Sequence, residues 1–317
     1  MHAIFLKYRA SPWLIALALA SVSTGALLAA DGFSPEALPR SFSTQPQLVG
    51  INLVLILMPA YLVWAWGIAH RRSHVLIGTL DPSGEGQRAM KLPQLWVWIG
   101  LFVGGCYAIF FNLPVSSVAQ MLEGGHLLTT LVVLMVAMWL WVGALLASRI
   151  HTALVLRKLG RSVPIDPYRQ TNLEPFAKNG LGDVLLTVGA LVLTALQSMD
   201  AEFRYQNYMY ALIVAVPAAA TLLLLPMTTV RGRLRQRKRE ELAKLEELIA
   251  ASSKRREPEP MARLELLMQR RDRVLALRTW PFNVSVVYRL VIYGVIPPIA
   301  WTAAALVEVM LEGMLGE

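Results

Sequence analysis

Charge, cysteine and recognisable catalytic motifs are all scarce in this chain of 317 residues. Only 16% of the residues are charged. The single cysteine, Cys106, excludes an internal disulfide and has no neighbours suited to a metal site. The five histidines, His2, His70, His74, His126 and His151, fall in no nucleophile motif, so no Ser-His-Asp set is evident. No cofactor-binding fingerprint occurs: Gly84-Glu85-Gly86 lacks the flanking strand and helix that phosphate binding needs and reads as a turn. Ionisable groups deep within apolar runs are nearly absent too. Asp183 is expected in the first turn of a helix, where a carboxylate complements the helix dipole, and Glu308 near an end. Coupled transporters place such groups near the bilayer midplane, so their scarcity argues against a proton-driven pump.

What is abundant is apolar sequence. The chain is 56% hydrophobic with a mean hydropathy of +0.50, more than a water-soluble globule of this size carries. Seven apolar runs, 12–30, 48–69, 95–111, 127–148, 181–198, 208–230 and 290–311, each approach the roughly 20 residues needed to cross a bilayer. If they alternate in direction, 28 of the 30 Lys and Arg residues fall on one face and only Arg40 and Arg204 on the other. The positive-inside rule makes the crowded face cytoplasmic. The expected fold is all-α: a polytopic membrane helix bundle of about seven transmembrane helices in an inner (plasma) membrane, its N-terminus cytoplasmic and its C-terminus outside. The net charge of +9 then faces anionic lipid beside membrane ends rather than nucleic acid.

Lys7 and Arg9 before an apolar run also fit a secretory signal, but 19 apolar residues exceed the roughly 7–15 of a signal core, and an uncleaved helix is expected. The connections on the sparse face are short. On the crowded face 231–289 is long and soluble in character. There Leu242, Leu245 and Ile249 recur at helical spacing, Glu240 and Lys244 form a favourable pair four apart, and Glu257-Pro258-Glu259-Pro260 interrupts before Leu264, Leu267, Val274 and Leu275 resume the stripe. Three parts follow: a six-helix transmembrane region over 1–230, a cytoplasmic helical hairpin over 231–280, and a kinked C-terminal transmembrane helix over 281–317. With only Gly232 as a turn signal near residue 231, the sixth span is expected to run into the hairpin as one helix.

Several residues stand out. Pro297 and Pro298 would leave the carbonyls of Tyr293 and Gly294 without helical donors, which suits a packing kink or a gate, with Thr302 and Glu308 further along the same path. Arg231, Arg233, Arg235, Arg237, Lys238 and Arg239 are stop-transfer charge or an anionic-lipid contact. Gly100 and Gly104 allow close helix approach, within the chain or between copies, and Leu242, Leu245 and Ile249 are candidate oligomer contacts. Trp64/Trp66, Trp96/Trp98 and Trp139/Trp141 are read as an interfacial aromatic belt. His70 and His74 share a helix face but lie beside Arg71 and Arg72 with no acidic third ligand.

Three functions compete, none of them enzymatic. The first is a homo-oligomeric ion channel or pore gated through the cytoplasmic helices and the last helix. The second is a non-conducting adaptor or signalling scaffold whose hairpin recruits a cytoplasmic protein. The third is a small-molecule transporter, favoured if Asn52, Gln197 and Asn207 converge. Seven spans with an inner N-terminus and cytoplasmic extensions of the last two helices is similar in outline to the insect chemoreceptor channels. That likeness is one of topology and carries over no residue.

Overall fold

The computed structural model describes residues 11–30, 49–81, 84–109, 126–162, 174–194, 196–197, 205–253, 260–277 and 288. Its elements are all helices: α1 (Pro12–Ala30), α2 (Val49–Leu80), α3 (Glu85–Ala89), α4 (Gln94–Tyr107), α5 (His126–Leu159), α6 (Glu174–Thr194), α7 (Tyr205–Ser253) and α8 (Pro260–Ala276). Helices α2, α5, α7 and α6 each pack on the next, and α6 closes back on α2, forming a four-helix ring. Helix α1 lies against α2 and α5, and α4 lies against α5.

Five of these helices, α1, α2, α5, α6 and α7, are long and apolar enough to cross a membrane, as a multi-pass membrane protein requires. Helix α4 is apolar but short within the described residues, and the run 290–311 lies outside them. The expected seven spans are therefore five long helices and one short one here. Bulky apolar side chains face outward on the long helices: Trp13, Leu17, Val133 and Val216 are all exposed. Apolar surface of that extent calls for lipid or protein to cover it.

Three helices outrun their apolar stretches in the same direction. Helices α2 and α5 continue to Leu80 and Leu159, and α7 continues to Ser253 as one 49-residue helix roughly 70 Å long. Beyond the apolar stretch they enclose a second core of Ile77, Leu156, Phe176, Met227, Val230 and Leu234. Helix α3 closes its flank. Gly84 starts α3 at φ +78°, a backbone state that favours glycine, the Gly86 amide donates to Asp81 Oδ2, and Met90 buries into the core. The Gly84-Glu85-Gly86 segment is thus the start of a short helix rather than a turn alone.

Helix α6 also differs from expectation. It begins at Glu174, with Pro175 in the first turn, where a missing N–H costs nothing. Asp183 therefore lies in mid-helix and not in the first turn. The hairpin is α7 beyond residue 230 packed on α8 through buried Leu245, Leu267 and Val274, with Leu242 and Ile249 beside them. Lys238 Nζ donates to the carbonyls of Leu275 and Leu277 at 2.7 and 2.8 Å, satisfying acceptors at the end of α8 that the helix leaves open. The expected Glu240–Lys244 pair is replaced by Arg237–Glu240 at 3.3 Å and Lys244–Glu241 at 3.7 Å, in each of which the basic residue is exposed and the glutamate half-buried.

Candidate functional site: a buried ion cluster in the helix ring

Where the apolar stretches of α2, α5 and α6 end, three charged side chains meet inside the ring. Arg72 of α2 places Nη2 2.6 Å from Asp183 Oδ1, and Arg149 of α5 places Nη2 2.9 Å from that oxygen and 2.8 Å from Asp183 Oδ2. Asp183 is only 4% exposed and Arg149 only 7%. Polar neighbours complete the group. Arg72 Nε donates to Asn179 Oδ1 at 3.3 Å and Nη2 to the Asn179 carbonyl at 2.9 Å. The Ser73 hydroxyl donates to Asn179 Oδ1 and accepts from Arg149 Nη2, both at 3.0 Å.

The local sequence explains the convergence. Arg149 is the first residue after its apolar run, Arg72 the third after its own, and Asp183 the third within an oppositely directed one. Antiparallel helices whose apolar stretches end at one depth bring such residues level. Asn179 and Asp183 are four apart and share a helix face. Gly182 leaves the opening through which Arg72 crosses α6, since a Cβ there would overlap the Arg72 guanidinium.

Among the described residues the cluster is not neutral: two guanidinium groups face one carboxylate. Arg149 Nε and Nη1 are buried without a hydrogen-bond partner. Buried N–H groups of a cation left unmatched are costly. Arg72 differs, since its side chain is 31% exposed and opens the cluster to the outside of the ring. Around the cluster Trp66 Nε1 donates to Ser148 Oγ at 3.1 Å, and the Trp66 ring stacks on His70 with centroids 5.1 Å apart. Among the described residues no three His, Cys, Asp or Glu side chains come together as a metal site would require.

The residues singled out in the sequence fall elsewhere. Tyr293, Gly294, Pro297, Pro298, Thr302 and Glu308 lie outside the described residues. Gly100 and Gly104 face α5 of the same chain, where a Cβ would press on the Gly143 and Trp139 backbone. Leu245 is buried inside the hairpin, not presented to a second copy. Within the basic run, Arg233 Nη1 caps the Gly160 carbonyl at 3.1 Å and Lys238 caps α8, while Arg235 and Arg239 are exposed. The tryptophans do not form one belt. Trp98 is exposed, Trp96 packs on His151, and Trp139 is buried in the apolar core against Tyr107. Asn52 is buried with its Oδ1 unpartnered, and the Gln197 backbone approaches Gly50 two residues away, while the side chain of Asn207 lies outside the described residues.

Sequence reasoning missed the ion cluster. The available signal was positional, opposite charges flanking apolar runs at matching depth, and each charge alone reads as a stop signal. Compared with protein-family models, with curated proteins and with solved structures, the chain matches none.

Proposed function

We propose that this chain is a non-catalytic, multi-pass inner-membrane scaffold that uses its cytoplasmic hairpin to recruit or signal to a cytoplasmic protein. One observation carries the reading: α7 runs unbroken from the apolar bundle into the hairpin, so the docking element and the membrane bundle share one helix. Basic residues concentrate on the hairpin side, which supports a cytoplasmic location by the positive-inside rule. The exposed Arg235 and Arg239 suit anionic lipid headgroups there. Leu248, Leu266 and Leu275 are exposed on the hairpin and suit a protein contact.

The ion channel is the second reading, favoured by the same continuity. A hairpin displacement would pass along α7, which contains Pro217 and Pro226, into the bundle. In that reading the chain assembles as a homo-oligomer and the last helix gates at Pro297 and Pro298. A small-molecule transporter has less support, resting on buried Asn52 alone.

Two experiments separate them. Purified chain in planar bilayers is silent if the scaffold reading holds, and discrete conductance altered by Pro297→Ala/Pro298→Ala replaces it with the channel. A photo-crosslinking residue at Leu266 or Leu275 in cells gives one discrete adduct, lost in Leu245→Lys, if the folded hairpin docks a partner. Absence of any adduct from both positions removes the scaffold reading.

A further inference from the structure

We propose that the Arg72–Arg149 pair is a binding site for one phosphate-type oxyanion, supplied by the headgroup of a lipid in the leaflet at the basic side. The inference rests on the membrane reading above, and begins from charge. Among the described residues two arginines against Asp183 leave one positive charge inside the ring, and Arg149 keeps two buried N–H groups without acceptors. A phosphodiester carries one negative charge and several acceptor oxygens, the chemistry that guanidinium forks match best. One such group makes the cluster neutral. Serine and asparagine around it supply further polar contacts without adding charge.

Access selects the source. Along the ring buried apolar side chains flank the cluster on both sides: Ile77, Leu156 and Phe176 lie one to two turns beyond it, and Ala69 and Leu145 about one turn to the other side. Sideways it is open at Arg72, which passes over Gly182 between α2 and α6 and remains part-exposed. Lateral entry at the end of the apolar stretches is where a bilayer holds its phosphates. A soluble phosphate would have to arrive by the same flank, through the headgroup layer.

The test uses the full chain, purified in mild detergent and delipidated, and titrated with phosphatidylglycerol, phosphatidylcholine or inorganic phosphate. Retained lipid is read by native mass spectrometry and melting temperature by intrinsic fluorescence. One phosphatidylglycerol should be retained with saturable stabilisation. Arg149→Gln should weaken this about tenfold or more while Arg149→Lys keeps part of it. Arg149→Gln still leaves Arg72 paired with Asp183, so it is expected to fold. Arg235→Gln/Arg239→Gln should leave the tight site unchanged. Saturation by inorganic phosphate alone, with no lipid effect, would overturn the lipid source and keep the oxyanion site. Wild type that neither retains lipid nor responds to any of the three probes would overturn the site, whatever the variants do. Alkaline carbonate extraction run in parallel separates that failure from failure of the membrane reading, since a membrane-spanning chain stays in the pellet.

Discussion

Asp183 holds two cations from two other helices, so its removal and theirs are not equivalent. Asp183→Asn leaves two guanidinium groups without a counter-charge, that of Arg149 in a buried site, a loss of about 3–5 kcal/mol, and should give the largest drop in melting temperature of any substitution in the cluster. Arg149→Gln retains one cation against one anion and should cost less. Gly182→Ala introduces a methyl against the Arg72 guanidinium and displaces it from Asp183 and Asn179 while leaving Arg149 paired with Asp183, a loss of about 1–3 kcal/mol. Thermal unfolding in one detergent ranks the three, and the reverse order would show that Asp183 is not the anchor. In the sequence only the matching depth of these charges hinted at their meeting. Arg72 and Asp183 are 111 residues apart, and a charge at the edge of an apolar run reads locally as a stop signal.

Contacts between whole elements were partly legible. The Leu242, Leu245 and Ile249 stripe of α7 packs against Leu267 and Val274 of α8, and three-and-four spacing was enough to find the hairpin. The Gly100–Gly104 spacing was legible as a close approach but not as to its partner, since spacing specifies one face and not what meets it. The start of α6 was misjudged because Lys178, Gly180 and Gly182 dilute the apolar run, and Pro175 in the first turn was the better marker. Gly104→Val would drive a side chain into the Trp139 backbone and should destabilise by about 1–3 kcal/mol. Gly105→Val, which among the described residues meets only the Leu140 side chain at 3.4 Å, should be milder. In the hairpin, Leu245→Lys places a charge at a site 3% exposed and should make α8 sensitive to limited proteolysis, while Leu248→Lys, 47% exposed, should not. Equal cleavage of the two variants would contradict the packing of α8 on α7.

At the scale of the molecule, the helices are stacked in three zones along one direction: an apolar bundle, an ion cluster at its edge, and a helical extension ending in the hairpin. The all-helical class and the clustering of basic residues were legible because hydropathy and charge are summed over long stretches and tolerate local error. The number of spans rests on five long apolar helices and the shorter α4 among the described residues, with the run 290–311 outside them. In a bilayer the ends of α2, α5 and α7 share one side, with residues 40 and 204 expected on the other. Single cysteines introduced in a Cys106→Ala background, as Arg88→Cys, Arg161→Cys, Arg239→Cys, Arg40→Cys and Arg204→Cys, test this in intact cells with a membrane-impermeant maleimide. The first three should label only after permeabilisation and the last two without it; labelling of Arg88→Cys, Arg161→Cys or Arg239→Cys in intact cells would contradict the one-sided arrangement on which the account stands.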